Sequence, residues 1–287
     1  MTARFTVAYG EVSIEVLVDG DDGPPIVLLP SLGRGAEDFD AIAARLASAA
    51  FKVLRPQPRG IGASRGPLAE MDLHDCAGDV AAVIEAARCG PAFVVGHGFG
   101  NRVARMLATD RPELIRAISL VAANVGRDPS PPDVRAAIRA SADSSLPDTT
   151  RCEALRYAFF APGNDPSPWL AGWHPDVLAA QRLAGDRTSR EEDFAGGTAP
   201  IVYLQPAHDP LAHGHHAQEF RARLGERVKI VIVPQASHAA IAEQPAFISD
   251  ALIAFARDLG LLRHAGALNR GESAASSSDF TVQDRCL

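Results

Sequence analysis

The amino-acid sequence predicts an α/β protein: a mostly parallel, twisted sheet with helices on both faces. Three observations carry this. Apolar runs at 25–29, 93–95 and 201–204 lack the polar alternation of a half-exposed sheet, as strands buried on both faces do. Between such runs, apolar residues recur at helical spacing, and this alternation of strand and helix implies a parallel sheet. In Phe93-Val94-Val95-Gly96-His97-Gly98-Phe99-Gly100-Asn101 a strand runs into glycines. A helical pattern, Arg102 to Ala108, begins at once.

Taken in order, residues 3 to 19 alternate in two short runs broken near Gly10-Glu11, the pattern of an antiparallel hairpin. Pro25 to Leu29 is a buried strand, and the loop Ser31-Leu32-Gly33-Arg34-Gly35 leads to a helix over about 38–49. Residues 52–55 form the next strand, followed by Pro56-Gln57-Pro58-Arg59-Gly60-Ile61-Gly62-Ala63-Ser64. Asp72 is placed to cap a helix whose apolar positions are Leu73, Cys76, Val80, Ile84 and Ala87. Residues 117–122 are another buried strand. From about 125 to 198 prolines and short helical patterns take over, with candidate helices at 131–142, 151–160 and 169–183. Strands at 200–204 and 228–233 then flank a helix over about 215–224, and a last helix spans about 245–259. The Ser/Ala/Gly-rich stretch 264–287 reads as a disordered tail.

Composition bounds the function. A chain of 287 residues, 47% hydrophobic and 22% charged, suits one large α/β domain with an insertion. A formal charge of −7 with no basic run argues against a nucleic-acid partner. Cys76, Cys89, Cys152 and Cys286 are scattered without a C-x-x-C pair, which fits reduced thiols in a cytoplasmic protein. No secretory h-region follows the N-terminus, and no apolar run approaches the ~18 residues of a membrane span.

The glycine-bounded turn at 96–100 resembles the nucleophile elbow of the α/β-hydrolase superfamily, small-x-nucleophile-x-small. Other motifs agree in order. Arg59-Gly60-Ile61-Gly62-Ala63-Ser64 matches the superfamily's R-G-x-G-x-S loop, with Gln57 where many members carry an acid. His97 fits the G-H-S-x-G form of the elbow, Asp209 matches the triad acid, and His238 in Gln235-Ala236-Ser237-His238 matches the catalytic histidine. The resemblance covers about residues 25–260. It implies a hydrolase core at 1–124 and 199–263, and a helical cap at 125–198. It also implies backbone oxyanion donors at Phe99 and, from the loop after the first buried strand, Leu32. In that loop Pro30-Ser31 replaces the usual His-Gly.

The departure that matters is Gly98. It occupies the nucleophile position and has no side chain. Glycine is comfortable at the positive φ an elbow requires, but covalent acyl transfer through position 98 is excluded. A histidine can abstract a proton once a carboxylate fixes its tautomer, so the paired Asp209 and His238 still offer a general base. Ser31 could face the pocket, although nothing in the spacing aligns it with His238. His97, Trp169, Trp173 and Phe160 are the other residues expected at the substrate, the aromatic ones lining an apolar pocket roof. His213, His215 and His216 match no zinc spacing and read as the first turn of a helix, so no metal and no cofactor is implied.

Two classes of function follow. One is a cofactor-free enzyme acting on a small apolar carbonyl compound. In it His238 activates water or removes a substrate proton, for hydrolysis or for lyase, isomerase or oxygenase chemistry. The other is a ligand- or partner-binding protein on a retired enzyme fold. A serine hydrolase deliberately silenced by a Ser-to-Gly change would read the same way.

Overall fold

The computed structural model describes residues 2–125 and 131–262, so the proposed tail at 264–287 and Cys286 lie outside the described residues. Strands β1 (Ala3–Tyr9) and β2 (Val12–Asp19) form the expected hairpin, paired antiparallel from Ala3↔Val18 to Tyr9↔Val12. The central strand β3 (Pro25–Leu29) is buried along its whole length. A short 3₁₀ turn then leads into α1 (Asp40–Ser48), followed by β4 (Lys52–Pro56) and α2 (Leu73–Ala87). Asp72 caps α2 as its sequence position suggests. Its carboxylate accepts from Asp75 N–H at 3.0 Å, and Asp75 returns the bond to Asp72 N–H at 3.1 Å.

Strand β5 (Ala92–His97) turns sharply into α3 (Gly100–Asp110), and β6 (Ile115–Val121) follows. Four helices then intervene before the sheet resumes: α4 (Pro132–Ala142), α5 (Asp148–Ala158), α6 (Pro175–Arg187) and α7 (Arg190–Phe194). The helix expected over 169–183 is corrected here. Trp169 closes a separate 3₁₀ turn and the helix starts at Pro175, because proline favours the first helical turn and lacks the N–H that an interior position requires. The chain ends its described part with β7 (Ile201–Pro206), α8 (Gly214–Leu224), β8 (Val228–Val233), α9 (Ala240–Glu243) and α10 (Pro245–Asp258).

All eight strands form one sheet in the order β1-β2-β4-β3-β5-β6-β7-β8, antiparallel at β1, β2 and β4 and parallel from β4 through β8. One apolar core packs α1 and α10 on the sheet through Phe39, Ile42, Leu46, Leu252 and Phe255. The other packs α2 and α3 on the opposite face through Val80, Val83, Ile84, Val103 and Leu107. With both faces covered, the six parallel strands direct their carboxyl ends to one edge, where sheets of this kind place their sites. No helix among the described residues is long and apolar enough to cross a membrane.

The β5–α3 turn is possible only because backbones touch. A Cβ on Gly96 would overlap the Gly100 carbonyl, and one on Gly100 would overlap the Leu29 carbonyl and stand 2.7 Å from Pro30 O. Both obstacles are main chain and cannot rotate away. Gly100→Ala should therefore destabilise the fold by about 3 kcal/mol, the upper range for overpacking, and lower the thermal midpoint. A midpoint equal to that of the unaltered chain would show that α3 can move off β3.

Candidate active site

The turn after β5 sets the floor of the site. Gly98 has φ +52, in the left-handed region, and its N–H donates to Val121 O at 3.1 Å. Its carbonyl accepts from the N–H of Asn101 at 3.2 Å and from that residue's buried side-chain amide. The tip is thus fastened to β6 on one side and to α3 on the other. Phe99 caps α3, so its N–H points away from the helix body. Neither the Phe99 nor the Leu32 N–H has an acceptor among the described residues.

The loops after β7 and β8 supply the titratable pair. His238 Nδ1 stands 2.9 Å from Asp209 Oδ2, and the Asp209 side chain is fully buried. The other carboxylate oxygen accepts from the N–H groups of Leu211 at 2.7 Å and Ala212 at 3.0 Å. Three donors therefore hold Asp209 in one orientation. Glu243 secures the same loop by accepting from Ser237 N–H at 2.6 Å. It also accepts from Ala161 N–H at 2.7 Å and from Asn164, which ties the β8 loop to the helical insertion. Burial raises the Glu243 pKa against the pull of these donors.

A cavity of about 240 Å³ opens between this machinery and the insertion. Its floor is Ser31, Leu32, Gly98, Phe99 and His238, so the structure brings together five of the residues singled out in the sequence. Ile138, Phe159, Trp173, Leu178 and Leu211 supply an apolar wall, and Arg182 and Arg190 also line the cavity. Neither arginine has an ion-paired or hydrogen-bonded partner among the described residues.

Three residues expected at the substrate lie behind that wall instead. Trp169 and Phe160 are 2% and 6% exposed and pack on one another in the core, with ring centroids 5.7 Å apart. Their apolar area is spent on holding the insertion together. His97 is fully buried because successive strand side chains alternate faces, which turns it away from the cavity beside Gly98. Its Nε2–H donates to the His238 carbonyl at 2.7 Å, so it braces the loop that carries the general-base candidate.

Other residues at the site left little signal in the sequence. Arg34 is buried between the rings of Trp169 and Trp173, its guanidinium carbon 4.6 and 4.8 Å from their centroids. It pairs with Asp38 at 2.6 Å and donates to Ala171 O at 2.7 Å, joining the β3 loop to the insertion. Gln181 Oε1 accepts the Gly33 N–H at 2.7 Å from the same side. Apart from Asp38, one helical turn away, these partners lie more than a hundred residues from Arg34 and Gly33, so no local pattern announces them. Gln57, at the position where an acid was expected, accepts from Ala36 N–H at 2.9 Å and donates to Glu37 at 2.7 Å. His213, His215 and His216 stack at the start of α8, with His215 and His216 ring centroids 4.1 Å apart. No group of three metal-ligating side chains is gathered anywhere among the described residues.

Comparison with known proteins supports the fold. A model of the alpha/beta hydrolase family matches residues 26–251. A pyrrolizixenacetamide deacetylase of Xenorhabdus hominickii is 30% identical over 117 residues, 41% of this chain and 44% of that protein. A 2-(acetamidomethylene)succinate hydrolase of Mesorhizobium japonicum is 29% identical over 112 residues, 39% of this chain and 40% of that one. The match thus spans less than half the length of either curated relative. The solved structure of a hydrolase from Pseudomonas aeruginosa PA01 superposes with a TM-score of 0.73 at 22% identity, covering 88% of this chain and 97% of that one.

Burial pushes the His97 pKa down to about 3, with the neighbouring His238 adding to the effect. Between that value and about 6.5, its ordinary value, the unfolded chain binds a proton that the folded chain does not. This contribution to stability is therefore complete above about pH 6.5. It is lost as pH falls toward 3, by on the order of 4 kcal/mol. Denaturant titrations from pH 7 to pH 4 should show a steeper loss for the unaltered chain than for His97→Gln, whose amide keeps a donor for the His238 carbonyl. Parallel curves would mean that His97 protonates freely in the fold.

Proposed function

We propose that this chain, which belongs to the alpha/beta hydrolase family, hydrolyses ester or amide carbonyl compounds with His238 as its general base. The observation that carries the reading is the 2.9 Å contact of His238 Nδ1 with a buried, triply held Asp209, on the floor of a 240 Å³ cavity. A carboxylate so placed fixes the tautomer that leaves Nε2 free to accept a proton, and stabilises the imidazolium that results. His238 takes the proton of an attacking hydroxyl, water in the simplest case, as its oxygen adds to the substrate carbonyl. The negative charge that develops on the carbonyl oxygen meets the free N–H groups of Phe99 and Leu32. His238 then returns the proton to the departing alcohol or amine. The helices between β6 and β7 act as a cap over the substrate.

Two features support a substrate class. The wall of Ile138, Phe159, Trp173, Leu178 and Leu211 suits an apolar body. Arg182 and Arg190, which line the same cavity without a hydrogen-bonded ion-pair partner among the described residues, suit a carboxylate on it. Acyl compounds with both parts are the first to test, and the names of the two curated relatives, a deacetylase and a succinate-derivative hydrolase, point to the same bonds. The empty Gly98 favours a second reading, in which the cavity binds such a ligand without turnover.

The decisive experiment is a panel of neutral and carboxylate-bearing acetyl esters and amides, offered to the unaltered chain and to His238→Ala. Hydrolysis should fall by about 10²–10⁴ in His238→Ala, the range for loss of a general base. In an Arg182→Gln/Arg190→Gln double variant, KM for the anionic compounds should rise roughly tenfold or more while neutral esters are unaffected. Equal hydrolysis by the unaltered chain and His238→Ala would remove the base from the mechanism. No turnover of any compound would select the binding reading.

A further inference from the structure

The space left by Gly98 is not empty. In the parallel pairing of β3 with β5, Leu29 stands opposite Gly96. Ser31 and Gly98 each lie two residues further on, so the register brings them side by side at the ends of neighbouring strands. A Cβ built on Gly98 would overlap the Ser31 hydroxyl oxygen and stand 3.2 Å from His238 Nε2. Ser31 Oγ therefore occupies the space of a side chain at position 98, delivered from the adjacent strand. The residue is 6% exposed and lines the cavity, and its hydroxyl has no hydrogen-bond partner among the described residues. A hydroxyl that reaches the cavity without a structural bond, beside an oriented imidazole, has no packing task that alanine would not perform. The superfamily pattern carries a small residue at the loop position and the nucleophile at the elbow, whereas this chain carries the two the other way round.

We propose that Ser31 is the nucleophile, transferred from the elbow to the neighbouring strand end. This rests on the reading of His238 as general base. The steps balance as in ordinary acyl transfer. His238 Nε2 takes the Ser31 proton as the Oγ–C bond forms at the substrate carbonyl. Collapse of the tetrahedral intermediate breaks the bond to the alcohol or amine, which leaves with that proton. His238 next deprotonates a water, which attacks the acyl-Ser31 ester. The carboxylate departs and the proton returns to Ser31 Oγ. The Phe99 and Leu32 N–H groups serve both steps, and Leu32 directly follows the nucleophile just as Phe99 follows Gly98.

A fluorophosphonate reagent tests this on the whole protein. Intact mass followed by peptide mapping should find a single phosphonyl group on Ser31. His238→Ala should slow labelling, and Ser31→Ala should abolish it and lower p-nitrophenyl acetate hydrolysis at least 10³-fold. In the exchanged variant Ser31→Gly/Gly98→Ser, labelling should move to position 98 and hydrolysis should return. Gly98→Ser alone should not raise activity, since its side chain displaces the Ser31 hydroxyl. If Ser31→Ala stays within tenfold of the unaltered chain while His238→Ala loses activity, water attacks directly: the proposal falls and the general-base reading stands. Failure of the unaltered chain both to hydrolyse and to label at Ser31 would overturn the two together. The labelling result on unaltered protein does not depend on any variant folding.

Discussion

The pairing of β3 with β5 is the constraint on which the site depends. The register Leu29↔Gly96 fixes how far each strand runs before its loop begins, and thereby sets the β3 loop against the β5 turn. That approach is close enough for backbone to touch backbone at Gly100, which is why no side chain fits there. The same closeness lets a side chain on one loop fill a vacancy in the other. A shift of one residue in this register would reverse the faces of every β3 side chain and separate Ser31 from Gly98. Burial of both strands on both faces makes such a shift costly, so the juxtaposition is as firm as the core beneath it.

The histidine and its carboxylate are held by a different means. Asp209 and His238 sit on loops, which are mobile unless tied down. Here the ties are buried hydrogen bonds: Leu211 and Ala212 N–H to Asp209, Ser237 N–H to Glu243, and His97 to the His238 carbonyl. Glu243 and His97 belong to this set without reaching the cavity, and each takes on a shifted pKa because it is buried. Arg34 performs the corresponding service for the β3 loop, stacked between two tryptophans of the insertion and paired with Asp38. The insertion thus steadies the loop that carries Ser31 and Leu32 while it walls the cavity.

What could be read in the sequence was whatever depends on neighbours along the chain. The hairpin, the buried strands, the α2 cap at Asp72 and the turn at Gly98 follow from local pattern, and they appear within a residue or two of their expected places. Asp209 and His238 were legible because motif order places them at the ends of successive strands. Long-range placement was not legible. His97 faces inward because strand side chains alternate, Trp169 and Phe160 went to core packing, and Pro175 moved a helix start that apolar spacing had set earlier. The neighbourhood of Ser31 and Gly98 joins residues on two strands separated by β4 and α2 in the chain. No spacing rule reports it, since it exists only once the strand order is known.

A site whose hydroxyl comes from β3 and whose base comes from the β8 loop differs from the usual arrangement in one respect. The attacking oxygen and the Leu32 N–H belong to the same loop, while the Phe99 N–H remains on the turn. The most direct measurement is a crystal structure of the protein after reaction with the fluorophosphonate. Phosphorus should be bonded to Ser31 Oγ, with its non-bridging oxygen about 2.7–3.1 Å from the Phe99 and Leu32 nitrogens and His238 Nε2 beside the ester oxygen. An unmodified Ser31 turned away from the cavity, or phosphorus on another side chain, would contradict the transfer of the nucleophile from the elbow to the neighbouring strand.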